Sequence, residues 1–374
     1  VFKNNTLKQI NLFFKKQNMK KKSLNAKKKI HKNLIINLKN PIIHKIYKDF
    51  NNFVKFNLNN SNFSVAISGG ADSLALAYFS KCYSISNNIK VEYYHVDHKL
   101  RKESSLEAKK LKFLLKKFDI NCKILNWTGK KPKSNIQSIA RIKRYNLIYK
   151  ECIKDKINFI FIGHHIDDLY ENFIIRMLRG SGLKGLVSFN QTKTSYNDQL
   201  KILRPLIAHK KTNLSYIAKK VFNFKFEDPS NKNINFKRIR IRNLINSLKS
   251  EGLSLEKLKL TINNLTDSNS TINYYVNENI KNNSKYNRYK KNYILSIDFF
   301  NQPHEIVFRS LISLLKKIGN KYYSPRGKSI SQLLLKFRSA EIKKISISGC
   351  IVEKINNSFI IYKENRKKDN FATI

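Results

Sequence analysis

The stretch from Ser68 to Ser73 reads SGGADS and contains the residue types that bind phosphate. Two adjacent glycines can adopt backbone angles that are closed to other residues and let an anion approach the peptide amides. A helix that begins here points its N-terminus, with its unpaired N–H groups, at the same place. Phosphates would repel the Asp72 carboxylate unless a cation lay between them, so the stretch predicts a nucleotide site with Mg²⁺ bound to Asp72. The alternative is a plain strand-to-helix turn with Asp72 as its N-cap.

The elements that must position this stretch alternate between short apolar runs and longer amphipathic ones. Between residues 63 and 206 they predict five strands with helices between them. This alternation is typical of an α/β fold with a doubly wound parallel sheet, in which ligands bind at the carboxyl ends of the strands. SGGADS follows the first predicted strand, HVDHKLR (His95 to Arg101) the second, and GHHIDD (Gly163 to Asp168) the fourth. We therefore expect the three clusters to form one site.

The remaining sequence predicts further parts on either side of this domain. Residues 1–60 are expected to be a basic N-terminal extension, and residues 61–245 the nucleotide-binding domain. Residues 246–295 predict a helical linker that includes an Asn-rich, weakly specified stretch, KNNSKYNRYKKN. Residues 296–374 predict a small α+β C-terminal domain.

Composition favours a polyanionic partner. The chain has 74 Lys and Arg against 25 Asp and Glu, a formal net charge of +49, and each neutralised phosphate releases counterions. The alternative is codon bias, since Lys, Asn and Ile dominate throughout. The acid-free N-terminus predicts a basic arm on RNA, with a targeting peptide or a mis-assigned start before Met19 as alternatives. No apolar run approaches the ~20 residues that span a bilayer, and four scattered cysteines without CxxC spacing are typical of a reducing cytosol.

SGGADS matches the SGGxDS signature of the PP-loop ATP pyrophosphatases, which cleave ATP between the α and β phosphates. Three further stretches are HVDHKLR, ARIKRY (Ala140 to Tyr145) and GHHIDDLYENFIIRMLRGSGLKGL, and a fourth is EDPSN (Glu227 to Asn231). In this order they resemble the tRNA(Ile)-lysidine synthetase family over about residues 64–243. The later segment SGCIVEKINNSFIIYKEN resembles the carboxyl-terminal part of the short forms of that family.

The resemblance implies an adenine nucleotide alpha-hydrolase-like PP-loop fold and a two-step ligase reaction. ATP adenylates the carbon-2 oxygen of the wobble cytidine in a CAU-anticodon isoleucine tRNA, releasing pyrophosphate. The amine of free L-lysine then displaces AMP to give lysidine, which changes the codon read from AUG to AUA. The resemblance implies a cytoplasmic enzyme that uses ATP and Mg²⁺ without an iron–sulfur cluster, zinc or a membrane. It assigns tRNA binding to the C-terminal domain and leaves a homodimer open.

Motif matches imply the role of each site residue. The expected ligands of ATP are Ser68, Gly69, Gly70, Ala71, Asp72, Ser73, His95 and Asp97, with Asp72 also the metal ligand. The expected catalytic residues are Asp72, Arg141, His164 and Asp168. Arg141 can supply a fixed cation to the α-phosphate, and a neutral His164 is a suitable base for the lysine amine. On a helix, Asp168 can orient the His164 imidazole, while Glu171 can hold the substrate ammonium or a metal.

Several of these assignments keep an alternative. His95 and Asp97 line an adenine pocket or cap a strand. The second small-residue turn is a substrate loop or a helix C-cap, and its residues are Arg179, Gly180, Ser181 and Gly182. Three arginines at alternate positions would line one face of a strand as a phosphate-binding stripe for tRNA, or else form a solvated surface. They are Arg238, Arg240 and Arg242. The run HHIDDLYE also has the spacing of a transition-metal site.

The chain departs from the family's DDQxET pattern, with Leu169 in place of Gln and Asn172 in place of Thr. Asn can keep a hydrogen bond that Thr made, whereas Leu cannot replace the amide of Gln. Two rival functions are a PP-loop tRNA thiolase, which needs reactive cysteines, and a non-catalytic RNA-binding protein of the same fold. Cys82, Cys122 and Cys152 fall within predicted secondary structure, where cysteine packs as a small hydrophobe.

Overall fold

A six-stranded sheet forms the centre of the first of two units in the computed structural model of this chain, residues 1–262. The structure describes residues 25–101, 103–129, 132, 134–189, 193–196, 200–223, 237–320, 324–338 and 343–364. The strands of this sheet are β1 (Phe63–Ala66), β2 (Val91–Asp97), β3 (Cys122–Asn126), β4 (Phe159–Ile162), β5 (Lys193–Tyr196) and β6 (Leu200–Leu203). Their order is β3-β2-β1-β4-β6-β5, and all neighbours are parallel except β5 and β6. The predicted doubly wound parallel sheet is therefore confirmed, and β5 adds an antiparallel edge.

Helices cover both faces of this sheet. They are α1 (described over residues 25–37), α2 (Pro41–Leu58), α3 (Ala71–Asn87), α4 (Ser104–Lys116), α5 (Ile136–Lys154), α6 (Ile166–Met177), α7 (Leu183–Leu186), α8 (Lys211–Phe222) and α9 (Lys237–Ser250). The next helix, α10 (Leu255–Asn283), begins in the first unit, and most of its residues belong to the second. One core packs α1, α2, α3 and α8 against β1, and a second packs α5 against β2 and β4. Strand order reverses between β1 and β4, so a crevice opens at their carboxyl ends.

Residues 25–58, expected to belong to a basic extension, are part of this first unit. The α2 helix begins at Pro41 because the Asn40 side chain accepts hydrogen bonds from the Ile42 and Ile43 N–H groups. Its apolar residues recur at helical spacing and are buried in the main core: Ile43, Ile46, Phe50, Val54 and Leu58. The many lysines of this region lie on the other faces of the helices, which is why composition alone suggested an extension. Residues 1–24 lie outside the described part.

The second unit, residues 263–374, is a five-stranded antiparallel sheet with helices packed on one face. Its strands are β7 (Ser284–Asn287), β8 (Asn292–Ser296), β9 (Lys344–Ile347), β10 (Cys350–Ile355) and β11 (Ser358–Lys363), and its other helices are α11 (His304–Gly319) and α12 (Gly327–Arg338). The strand order is β7-β8-β11-β10-β9. The expected boundary between residues 295 and 296 therefore falls inside β8. Within the ranges that the structure describes, no helix combines the length and the apolar character needed to cross a membrane.

Candidate active site

The turn between β1 and α3 has the shape of an anion-binding loop. Gly69 has φ +94°, a conformation that L side chains rarely adopt. The Ser73 hydroxyl accepts hydrogen bonds from the Ser68 and Gly69 N–H groups (both 3.2 Å) and donates one to Gly70 O (2.8 Å). Because Gly70 is the N-cap of α3, Asp72 lies in the first helical turn, and the alternative of Asp72 as N-cap is wrong. The first-turn N–H groups of α3 have no intrahelical acceptor, which suits them to a phosphate.

The end of β4 lies directly against this loop. A Cβ atom at Gly163 would stand only 2.9 Å from Asp72 C and from Ser73 N, so only glycine allows this close approach. His165 is buried, and its Nδ1 accepts a hydrogen bond from Asp168 N (3.3 Å). Its Nε2 lies 3.6 Å from Asp72 Oδ2 and 3.4 Å from Asp168 Oδ2. His165 therefore links the carboxylate of the loop to α6.

Asp72 has the environment of a cation ligand. Burial raises its pKa; His165 opposes this effect and the Asp168 carboxylate adds to it. Asp72 Oδ1 is buried and has no hydrogen-bond partner within the described ranges. This arrangement fits Mg²⁺, which proteins usually hold through one or two carboxylates together with substrate phosphates. No three His, Cys, Asp or Glu side chains of the described residues are grouped to hold a metal by themselves, so phosphate oxygens would have to complete the ligand set.

His164 is held by Arg204 and not by Asp168, which corrects the expectation from their four-residue spacing. Arg204 follows β6 and donates from Nε to His164 Nδ1 (3.1 Å), while Asp168 accepts from the backbone of His165. The rings of His164 and Phe189 pack with centroids 4.9 Å apart, and the Arg204 guanidinium lies over the same Phe189 ring. Because a guanidinium only donates, Nδ1 must be the acceptor nitrogen, and the neutral imidazole carries its proton on Nε2.

The charge state of His164 follows from the same surroundings. Burial lowers its pKa well below the usual range, and the nearby charges of Arg204, Arg141 and Arg238 lower it further. His164 is therefore neutral at physiological pH, as expected. A base role requires an unoccupied acceptor nitrogen, however, and Nδ1 already accepts from Arg204. The geometry favours hydrogen-bond donation from Nε2.

The three predicted clusters face one cavity of about 1100 Å³ at the carboxyl ends of β1, β2 and β4. The predicted residues that line it are Ser68, Gly69, Asp72, Ser73, His95, Asp97, Arg141, His164, Asp168 and Arg238. Gly70 and Ala71 shape the loop behind this lining. Arg141 projects from α5 with its guanidinium 5.2 Å from the centre of the Tyr145 ring, so an aromatic face steadies its charge.

The arginines predicted on a strand lie on helix α9, so the alternating stripe is wrong. On a helix, positions 238 and 242 share a face, and position 240 points elsewhere. Arg238 Nη1 lies 3.5 Å from Asp168 Oδ1, and Arg242 Nε donates to Glu171 Oε1. Arg240 is exposed, and the role of all three arginines in tRNA binding stays a prediction. Glu171 is buried, and its Oε2 has no hydrogen-bond partner in the part of the chain that the structure describes.

His95 and Asp97 lie where the cavity meets the ends of strands. Both line the cavity, and both are also tied to the ends of strands. His95 Nδ1 is 2.8 Å from Ile67 O, while Asp97 accepts from Lys99 N (2.9 Å) and Ser105 Oγ (2.6 Å). Burial alone would raise the pKa of Asp97, but these hydrogen bonds outweigh it and lower the pKa. Their contact with adenine stays a prediction.

The turn after α6 is a helix C-cap and does not line the cavity. Arg179 N and Ser181 N both donate to Arg176 O, Gly180 N donates to Met177 O, and Gly182 is the N-cap of α7. A role of these four residues in substrate binding stays a prediction.

The two positions at which the chain departs from the family pattern both lie on α6. Leu169 is buried, and Asn172 Oδ1 accepts from Arg176 Nε (2.8 Å). EDPSN (residues 227–231) lies outside the described residues.

Sequence reasoning missed Gly163, His165 and Arg204. The first two stand beside His164 in GHHIDD, and the glycine after a strand was a usable signal. Arg204 lies inside LKILRPL, which the pattern predicts as a strand throughout, and its partner is 40 residues away, so no signal in the sequence indicated that it stands at a strand end.

Comparisons with known proteins agree with this geometry. The family model described as a PP-loop domain matches residues 39–248. The tRNA(Ile)-lysidine synthase of Wolbachia sp. subsp. Brugia malayi (strain TRS) is 31% identical over 319 residues, covering 83% of this chain and 73% of that protein. The protein of the same name from Orientia tsutsugamushi (strain Boryong) is 30% identical, covering 82% and 70%.

A solved structure with a similar chain path is the U34-tRNA thiolase NcsA from Methanococcus maripaludis. It is 18% identical, with a TM-score of 0.46 over 58% of this chain and 75% of that one. The domain match and the sequence relatives, taken together, establish that this chain belongs to the tRNA(Ile)-lysidine synthase family of PP-loop proteins.

Proposed function

We propose that this protein ligates free L-lysine to carbon 2 of the wobble cytidine in a CAU-anticodon isoleucine tRNA, using ATP. The observation that carries the proposal is the shared cavity, in which a phosphate loop, Arg141 and His164 face the same space. Its volume of about 1100 Å³ is large enough for a nucleotide together with a second reacting group. The reaction is a carbon–nitrogen ligation that releases pyrophosphate and AMP. The cytoplasmic location and a homodimer stay predictions.

In the first step, the loop and the start of α3 would bind the phosphates of ATP. Asp72 would hold Mg²⁺ against them, and the ion would neutralise part of the phosphate charge. The carbon-2 oxygen of cytidine attacks the α-phosphorus, and pyrophosphate leaves. Arg141 would stabilise the negative charge that grows on the α-phosphate, because its guanidinium lines the cavity as a fixed cation.

His164 would act in this step as a donor. Its Nε2–H is available for an oxygen of the α-phosphate or of the cytidine, since Nδ1 is occupied by Arg204. A buried neutral donor is worth more against a developing oxyanion than the same donor in water, because the surrounding dielectric is low.

In the second step, the neutral amine of lysine attacks carbon 2, the bond between carbon 2 and the adenylate oxygen breaks, and AMP leaves with the proton that the amine loses. Glu171 Oε2 is a buried acceptor without a partner among the described residues, and Arg242 fixes the orientation of its carboxylate. It would accept a hydrogen bond from the ammonium group of lysine. Asp168, whose Oδ1 faces Arg238, would complete the negative side of this subsite.

The chemistry of the cysteines favours ligation over thiolation. All four cysteines are buried, and none forms a disulfide. Burial raises the pKa of Cys82 and of Cys122 to about 12, and that of Cys152 to about 11. Such thiols remain protonated and poorly nucleophilic at neutral pH. A non-catalytic role is disfavoured because Asp72, Arg141 and His164 are all present around one cavity.

The test is incorporation of labelled lysine into transcribed tRNA. Purified protein, ATP and the CAU-anticodon isoleucine tRNA should give tRNA-bound label with AMP and pyrophosphate in equal amounts, and a tRNA with uridine at the wobble position should give none. His164→Ala should abolish incorporation and leave tRNA binding within about twofold. His44→Ala is the matched control, because His44 is an exposed histidine of α2 that does not line the cavity. Label on both tRNAs, or full activity of the His164 variant, would contradict the proposal.

A further inference from the structure

The stretch that the sequence analysis found weakly specified forms an ordered hairpin, β7–β8, at one edge of the second sheet. Residues 285–293 read KYNRYKKNY and contain four basic residues, three tyrosines and no acid. Asn287 pins the turn, because its Oδ1 accepts from Tyr289 N (3.0 Å) and Lys290 N (3.1 Å). The backbone of the turn is therefore fixed, while residues 288–291 at its tip stay exposed.

Tyr289 stands at the tip of this turn with 99% of its surface exposed. Its ring packs on nothing in the second unit, so it contributes little to folding. The Tyr286 ring, 44% exposed, packs on Tyr293 with centroids 4.9 Å apart and shows its other face to solvent. A pinned, exposed aromatic ring is what unpaired bases stack on.

A groove of about 430 Å³ lies beside these rings, where the hairpin meets the ends of α11 and β11. Four lysines line it: Lys290, Lys291, Lys317 and Lys363. Lys317 stands at the C-terminus of α11, where a cation also offsets the helix dipole. The other three lie on the hairpin and on β11, where no helix end accounts for them.

Among the residues that the structure describes, none of those that line the groove is acidic. One lining residue, Tyr362, is bonded to a carboxylate: its hydroxyl donates to Glu353 (2.8 Å). Glu353 also pairs with Lys344 (3.4 Å). Its charge is therefore already compensated. The electrostatic potential in the groove is positive, which favours binding of a polyanion. The exposed tyrosine rings favour a polyanion whose bases can stack on them.

We propose that the β7–β8 hairpin and its groove bind an unpaired RNA segment, with lysines on the phosphates and Tyr289 stacked on a base. The identification of this RNA as a tRNA rests on the proposed function, whereas the binding of unpaired RNA does not. The bound segment is distinct from the wobble nucleotide, because the groove is formed by the second unit alone and the reaction cavity by the first.

The test measures binding by the full chain of a fluorescein-labelled octameric oligouridylate and of the isoleucine tRNA. Tyr289→Ala should weaken oligouridylate binding about five- to 150-fold, the range of one lost base–aromatic stack. The double variant Lys290→Ser/Lys291→Ser should lower the slope of log affinity against log salt by about 1.4, since each contact to a single strand contributes about 0.7.

Two controls match these changes in the same unit. Tyr274→Ala removes another exposed tyrosine, and Lys281→Ser/Lys328→Ser removes two exposed lysines that lie outside the groove. Both should leave the affinity and the salt slope unchanged. The proposal is overturned if Tyr289→Ala binds oligouridylate like the parent protein, or if the control variants lose as much affinity as the groove variants.

Lysine incorporation separates this proposal from the proposed function. At saturating tRNA, the groove variants should keep the parent turnover number and show only a higher KM for tRNA. If the parent protein incorporates no lysine, the proposed function is wrong. The RNA-binding measurements still test the groove proposal in that case. A groove variant with normal RNA affinity and reduced turnover would overturn the groove proposal alone.

Discussion

Replacement of Arg204 by Leu removes the group that fixes the protonation of His164. Arg204 is 4% exposed, and its Nε donates to His164 Nδ1 at 3.1 Å. Without this donor, either ring nitrogen can carry the proton, and the Nε2–H group that faces the cavity is no longer guaranteed. We therefore expect the variant to bind ATP and to lose adenylation rate.

The size of the loss follows from the hydrogen bond. A hydrogen bond that involves a charged group contributes about 1.5–3 kcal/mol, and solvent does not weaken this one because both partners are buried or nearly so. Since about 1.36 kcal/mol corresponds to tenfold in rate, the expected fall in turnover is about ten- to 150-fold. The KM for ATP should change little, because Arg204 is not among the residues that line the cavity beside the predicted phosphate loop.

The assay is pyrophosphate release at saturating ATP and tRNA across a series of pH values. Protonation of Nδ1 would remove the acceptor of the Arg204 hydrogen bond, so we expect the neutral form of His164 to be the active one and the rate to fall when pH falls through its pKa. Burial and the Arg204 cation hold that pKa well below the usual range in the parent protein. Loss of Arg204 raises the pKa, so the acid limb of the profile should move to higher pH.

A matched control variant and an independent NMR measurement test the donor role of His164. Arg326→Leu removes an exposed guanidinium that does not line the cavity, and its profile should overlay that of the parent. Nitrogen-15 spectra of labelled histidine should find the His164 proton on Nε2. An unchanged acid limb in Arg204→Leu, or a proton on Nδ1 in the parent, would refute the donor role.

Three further changes probe the remainder of the cavity. Because the raised pKa of Asp72 must be crossed before its carboxylate binds a cation, titration calorimetry should find that Mg²⁺–ATP affinity falls with decreasing pH, and Asp72→Asn should abolish that dependence. Gly163→Ala should cost about 1–3 kcal/mol of unfolding free energy in urea melts, because the added Cβ meets the backbone of α3 at 2.9 Å. Glu171→Gln should raise the KM for lysine about tenfold or more and leave pyrophosphate release unchanged, since only the second step uses Oε2.

The parts of the site that could be predicted from sequence are those set by strand ends. SGGADS, HVDHKLR and GHHIDD each follow a strand of a parallel sheet, and parallel strands present their carboxyl ends at one edge. Knowing the strand pattern was therefore enough to place Asp72, His95 and His164 around one cavity. The fold class followed from the same alternation of apolar and amphipathic runs.

The parts that could not be predicted depend on contacts distant in sequence. The spacing of His164 and Asp168 suggested a pair, but α6 begins only at Ile166, so His164 lies before the helix and Asp168 caps its start. Arg238 and Arg242 read as a strand because they alternate with isoleucines, and their partners on α6 are about 70 residues away. No local pattern encodes such pairs.

The β7–β8 hairpin illustrates a different limit. Its sequence is rich in Asn and Lys and has little apolar alternation, so it predicted no strand. In the structure, β8 pairs with β11 through Tyr293 and Leu295, which are buried, and β7 follows because Asn287 closes the turn. Burial against a partner strand decided the structure where local preference did not.

The charges of the cavity order the two steps of the proposed reaction. The α9 arginines already neutralise most of the negative charge of Asp168 and Glu171, while Arg141 and Arg204 add positive charge around His164. A triphosphate is attracted to such a cavity, whereas the lysine cation is repelled from it. We expect bound phosphates to reverse this balance. Glu171 is not part of the cavity lining, but its Oε2, which has no hydrogen-bond partner among the described residues, would then become a more favourable site for an ammonium group. The arginines around His164 would thereby keep the amine from the cavity until a nucleotide is bound.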